Sequence, residues 1–94
     1  MTASLKVTKG AITPAQSRAA RGLLDWSRDQ LADSSGAAKR TIVRFEAADG
    51  ETRDTTLAAI RTALEAAGVE FIEENGGGPG VRLRRLTSED RPDA

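Results

Sequence analysis

Lys39, Arg40 and Arg44 are the side chains best placed to act on something outside the chain. They fall on one side of the segment from about Ala38 to Ala47, with Val43 among them, while Ile42 and Phe45 fall on the other. Residues three and four apart share a helix face, so a helix here buries the apolar pair and presents the cations. Guanidinium and ammonium groups donate hydrogen bonds and accept none, which suits them to binding acceptors rather than to making bonds. Catalysis has little else to draw on. The sequence has no His, Cys or Tyr, which removes the commonest general base, the thiolate nucleophile and the imidazole and thiolate metal ligands. No enzyme activity, metal site or cofactor is expected, because no residues converge on a plausible reaction.

Two other stretches invite a chemical reading. The run Asn75-Gly-Gly-Gly-Pro-Gly80 has the glycine content of a phosphate loop. It lacks the Lys-Ser/Thr that such a loop requires and joins two strand-like segments, so a hairpin turn is the better reading. Glu70, Glu73 and Glu74 suggest a cation site, but their alternation opposite the Arg-rich segment Val81 to Leu86 favours charge pairing.

These residues must be positioned by a small scaffold. With 94 residues the chain fits one domain, and its 38% hydrophobic and 30% charged content is too apolar for a disordered chain. Trp26, Phe45 and Phe71 are the only aromatic residues, so Leu, Ile, Val and Ala must form the core. Trp26 reads as a cover over that core. Fourteen basic and fourteen acidic residues give zero net charge; which charges face a partner therefore matters more than the total. The absence of cysteine, of a signal peptide and of a membrane-length apolar run points to the cytoplasm.

Thr13-Pro14-Ala15-Gln16 and Ser27-Arg28-Asp29-Gln30 each combine a capping hydroxyl with a glutamine three residues later, the pattern of a helix start. The first helix is expected over Pro14 to Leu24, with Ala19, Ala20, Leu23 and Leu24 inward. The second runs from Arg28 to about Ser34 and ends at Gly36, which tolerates a left-handed backbone. After the third helix and the turn signal Asp49-Gly50, a fourth is expected from Asp54 to Ala67, with Asp54 or Thr55 near its cap and Leu57, Ile60, Leu64 and Ala67 as its stripe. Val69 to Glu74 and Val81 to Leu86 alternate as a β-hairpin. Aligning Val69 and Phe71 with Val81 and Leu83 makes one apolar face and places Glu70 near Arg84 on the other.

Counted from Arg28, the small Ala32 is fifth, Gly36 ninth, Ile42 fifteenth and Phe45 eighteenth. Ala32 lets two helices cross, Gly36 turns the chain, and Ile42 and Phe45 anchor the next helix while its far side stays open. With Trp26-Ser27-Arg28-Asp29-Gln30-Leu31-Ala32, Thr41-Ile42-Val43-Arg44-Phe45-Glu46 and Thr56-Leu57-Ala58-Ala59-Ile60, this stretch from Ile12 to Ala67 resembles the phage-repressor and Cro-like helix-turn-helix family, also called the xenobiotic-response-element family. Gly68-Val-Glu-Phe-Ile72 and the glycine-rich turn resemble a bacterial subgroup with an appended hairpin.

The resemblance implies a mainly α fold: a lambda-repressor-like four-helix helix-turn-helix bundle with a C-terminal β-hairpin. It places a DNA-binding domain over 12–68 and a hairpin over 69–86 as candidate dimerisation element, between a flexible arm over 1–11 and a disordered tail over 87–94 that the residues themselves suggest. It implies base-edge contacts from Lys39, Arg40, Thr41, Val43 and Arg44, since Arg and Lys suit guanine acceptors and apolar groups suit the thymine methyl. It implies phosphate contacts from Arg21, Ser27, Arg28 and Arg53, and an internal salt bridge between Arg21 and Glu46. Against the family pattern, Arg28 stands where Gln is frequent, Ala37-Ala38 leaves the third helix without a side-chain cap, Ala48 replaces a frequent glycine and Thr52 a frequent proline.

The function expected is a sequence-specific transcriptional regulator, a repressor that binds double-stranded DNA as a homodimer on a palindromic operator, with no small-molecule ligand and no membrane association. The alternative is a protein-interaction module on the same fold, such as an antitoxin or anti-activator, which the zero net charge and apolar hairpin favour.

Overall fold

The computed structural model describes residues 11–84. Four helices, α1 (Pro14–Leu24), α2 (Arg28–Ser35), α3 (Lys39–Glu46) and α4 (Asp54–Ala66), precede an antiparallel hairpin of β1 (Val69–Ile72) and β2 (Gly80–Leu83). The arm expected over 1–11 lies outside the described residues except for Ala11, as do residues 85–86 of the second expected strand and the tail expected over 87–94.

The helix starts follow from their capping chemistry. Thr13 Oγ1 accepts the Gln16 N–H at 3.0 Å, and Gln16 Oε1 accepts the Thr13 N–H at 2.9 Å. Ser27 and Gln30 exchange the same pair of bonds at 3.1 and 2.8 Å. Each box satisfies two backbone donors that a helix start otherwise leaves orphaned. Gly36 ends α2 with φ 81°, its N–H donating to the Ala32 carbonyl, and the left-handed turn that points the chain into α3 is open to glycine without steric cost. Ala38 caps α3 without a side-chain bond. α4 begins at Asp54 as expected, with Asp54 and Thr55 next to its cap; the cap itself is Arg53, extended and without a side-chain capping bond. The Asp54 carboxylate sits in the first turn, where the helix dipole favours negative charge.

Leu31, Ile42, Ile60, Leu64 and Val69 are fully buried, with Ile12, Ala20, Phe45, Ala63 and Phe71 around them. Leu24, Trp26, Ala32 and Leu57 pack against this cluster from its margin. The inward face of α1 differs from the apolar expectation. Ala20 is buried and Leu24 half-buried, but Ala19 and Leu23 are exposed, and Gln16 and Ser17 are buried in their place. Hydrogen bonding explains the exchange, because a buried polar group is tolerated when its partners are supplied. Ser17 Oγ donates to Glu46, and Gln16 Nε2 donates to the Gly80 carbonyl at 2.9 Å.

The hairpin pairs Val69 with Leu83, Glu70 with Arg82, Phe71 with Val81 and Ile72 with Gly80. Glu70 therefore lies opposite Arg82, not Arg84; its Oε1 is 3.1 Å from Arg82 Nε. Arg84 is opposite Gly68, to whose carbonyl its N–H donates at 2.7 Å. The other two acidic residues do not pair across the strands. Glu73 lies 3.5 Å from Arg61 of α4, and Glu74 accepts the N–H groups of Gly76 and Gly78 inside the turn. An isolated two-stranded hairpin is marginal. This one buries Val69 and Phe71 in the core, and the Arg61 guanidinium covers the Phe71 ring at 5.1 Å. Among the described residues no helix is long and apolar enough to cross a membrane.

Ala48 follows α3 with φ 56°, a left-handed conformation that crowds an L residue's Cβ. Replacing it with glycine removes that strain. Ala48→Gly is expected to raise stability by about 1 kcal/mol, read as a higher urea midpoint; a lower midpoint would contradict the backbone geometry of this loop.

Candidate functional site

The outward face of α3 is built by what lies behind it. Ile42, Phe45 and Glu46 are buried, which turns Lys39, Arg40, Val43 and Arg44 to the exterior and leaves Thr41 half-buried at the edge. Val43 is one of three large apolar residues exposed among the described residues. Thr41 and Arg44 continue into a cleft of about 310 Å³ completed by Glu51, Thr52, Arg53 and Thr56. Arg53 thus joins the α3 face at the start of α4. Ser27 and Arg28, both exposed, stand at the start of α2; the Ser27 oxygen accepts the Gln30 N–H, which leaves its own hydroxyl proton free to donate.

The charges on this face are partly neutralised from within. Lys39 Nζ lies 3.1 Å from Asp29 Oδ1, and Arg44 Nε lies 3.8 Å from Asp49 Oδ2. Arg40 is exposed and makes no ion pair among the described residues. Gly50 beside Arg44 has φ 84°, a left-handed conformation that favours glycine.

Glu46 fixes the frame. Its side chain is 1% exposed, yet every partner a carboxylate needs is present. Oε1 accepts from Arg21 Nη2 at 2.7 Å and lies 3.3 Å from Arg28 Nε. Oε2 accepts from Ser17 Oγ at 2.6 Å and from Arg21 Nε at 2.9 Å. Arg21 also donates through Nη1 to the Trp26 carbonyl at 3.1 Å, just before α2 begins, so one guanidinium ties α1, the α1–α2 turn and the end of α3. Arg18 Nη1 donates to the Glu46 backbone carbonyl, satisfying an acceptor orphaned at the helix end. Burial pushes the Glu46 carboxyl upward, but hydrogen bonds from Arg21 and Ser17 and the charges of Arg21 and Arg28 outweigh it, so it sits below its ordinary range. Arg21 is held more firmly protonated, chiefly by its hydrogen bond to Glu46 and against burial.

Of the residues predicted, Thr41, Arg44 and Arg53 line one cleft and Arg28 reaches α3 through Glu46, while the hydrogen bonds of Ser27 stay within its own cap and the first turn of α2. The structure places Arg21 differently from an exposed phosphate ligand: its side chain is only 16% exposed and its guanidinium is engaged with Glu46. Arg28 is shared between solvent and Glu46. Ser17, Arg18, Asp29 and Asp49 were not singled out by sequence reasoning. Ser17 carried a signal, since it stands four residues before Arg21 and so shares its helix face; the pairing of Asp29 with Lys39 depends on how two helices meet and carried none.

No protein-family model matches the chain, and no curated protein is similar enough to count as a relative.

The Glu46 network has a pH signature. A carboxyl whose folded pKa is lowered stabilises the fold above its ordinary value of about 4.5 and loses that contribution as pH falls through the lowered one. Glu46→Gln is expected to lower stability at neutral pH by about 3 kcal/mol and to flatten the decline of stability below pH 4.5. Denaturant titrations of both proteins across this range check it. Parallel pH curves would exclude Glu46 as a source of the acid sensitivity; the exposed Glu70–Arg82 pair is common to both and cancels.

Proposed function

We infer that this chain is a sequence-specific DNA-binding transcription regulator, a repressor that places α3 in the major groove. The observation that carries the reading is the division of α3 into a buried face of Ile42, Phe45 and Glu46 and an exposed face of Lys39, Arg40, Val43 and Arg44. A helix fills a major groove, and Arg or Lys is matched to guanine O6 and N7 while Val43 is matched to a thymine methyl. Ser27 and Arg28 at the start of α2, and Arg53 at the start of α4, flank that helix as phosphate partners. Arg21 contributes by bracing α3 and by directing Arg28, through their shared carboxylate. The order of α2, a glycine turn and α3 is that of the phage-repressor and Cro-like family, to which this reading assigns the chain.

A domain of this size reads few base pairs. Two copies on a palindrome place α3 in successive major grooves about 34 Å apart. The hairpin is the proposed contact between copies, supported by Leu83, which is 49% exposed on its apolar face. The reading places the protein in the cytoplasm with the nucleoid. Zero net charge and exposed Leu83 and Leu23 favour a second reading, a module that binds another protein through the same fold.

Replacing both Arg40 and Arg44 with alanine separates the two. The regulator loses about 1–3 kcal/mol of affinity per base contact, and the dependence of log affinity on log salt becomes shallower by about 2. Filter retention of a duplex enriched from a randomised pool, measured at several salt concentrations, reads both. Unchanged retention and slope would remove α3 from the interface and leave the protein-binding module.

A further inference from the structure

The three cations on the outward face of α3 are not equally available. Lys39 is paired with Asp29 on the first turn of α2, and Arg44 with Asp49 in the loop that follows α3. Arg44 also lies beside Gly50, whose ideal Cβ position is 3.0 Å from Nη2. Arg40 alone of the three has no ionic partner among the described residues. The four paired side chains are each more than half exposed, at 57% and 69% for Lys39 and Asp29 and 57% and 70% for Arg44 and Asp49. Such pairs are weak and screened, so they open when a better acceptor arrives.

Resting on the DNA-binding reading, we propose that Asp29 and Asp49 are specificity-determining residues, which hold Lys39 and Arg44 back from DNA of the wrong sequence. Against an arbitrary duplex, a phosphate offers these cations little more than the carboxylate they already have. Releasing them also leaves two carboxylates facing the phosphate backbone. Against the right sequence, the paired acceptors of a guanine edge offer Arg44 a bidentate contact that its long ion pair with Asp49 does not. Arg40 needs no release and contacts DNA in either case. The balance of fourteen cations and fourteen anions in the chain fits this device: non-specific affinity rests almost wholly on charge, whereas specific affinity adds base contacts.

The experiment compares the intact chain with its Asp29→Asn, Asp49→Asn variant on two probes: a random-sequence duplex and the duplex that the unmodified chain enriches from a randomised pool. Asp33→Asn is the control, since Asp33 lies on α2, is exposed and pairs with no cation of α3. The double variant is expected to bind the random duplex about tenfold more tightly, with a salt slope steeper by about 2. Its affinity for the enriched duplex rises less, so the ratio between the two probes falls. Asp49→Asn alone, which leaves α2 untouched, is expected to give about half of this effect on a logarithmic scale and guards against a loss of folding at Asp29. An unchanged ratio, or an equal effect of Asp33→Asn, would overturn the role of Asp29 and Asp49 while leaving the sequence preference in place. If the unmodified chain enriches no sequence and Arg40→Ala changes nothing, the DNA-binding reading falls, and this role with it.

Discussion

Everything outward about α3 depends on a carboxylate that faces inward. Glu46 ends the helix on its buried side, where an unpaired negative charge would be expensive and where the helix dipole also opposes it. The position is tolerable only because Arg21, Ser17 and Arg28 converge on it. Those partners come from α1 and the start of α2, so satisfying one charge fixes three helices. The apolar anchors Ile42 and Phe45 supply most of the driving force for burying this side of α3. They choose which side of α3 faces inward but, being non-directional, do not by themselves fix its detailed orientation. The bidentate Arg21–Glu46 pair does, because its geometry is directional.

The same economy of charge governs the exposed side. A chain with no net charge has no general field to draw it to a polyanion, so its surface must be organised locally. Cations are gathered along α3, at the start of α2 and at Arg53, while Asp29, Asp49 and Glu51 stand beside them. The hairpin follows a different logic. Glu70 and Arg82 pair across the strands on the solvent side, and Gln16 and Arg61 bind it to the helices from the other. The hairpin is thereby part of the domain core.

Much of this was legible in the residues. The two capping boxes, the turn at Gly36 and the opposition of Ile42 and Phe45 to the basic face are local patterns with local causes, and the structure carries all of them. What was not legible depended on contacts distant in sequence. An apolar reading of α1 turned Ala19 and Leu23 inward, because nothing near Gln16 announces that Gly80 will accept its proton, and the one cue for Ser17 is its place on the Arg21 face. The hairpin's apolar face was legible from alternation, but the partner of Glu70 was not: Arg82 and Arg84 project from the same face, and only the register distinguishes them. At α4 the helix begins at Asp54 as expected, but its cap position falls on Arg53, whose side chain makes no capping bond, so Asp54 and Thr55 lie inside the first turn.

The central claim is that the basic side of α3, held outward by the Glu46 network, is the surface that meets the partner. The most direct measurement is a nuclear magnetic resonance titration of the isotope-labelled chain with the duplex it enriches. The account predicts that resonances of Arg40, Val43 and Arg44 shift most, with Ser27 and Arg53 at the margins, while Ser17, Leu31 and Ile42 keep their free-state positions. Shifts centred on β2 and Leu83, with α3 unmoved, would contradict it.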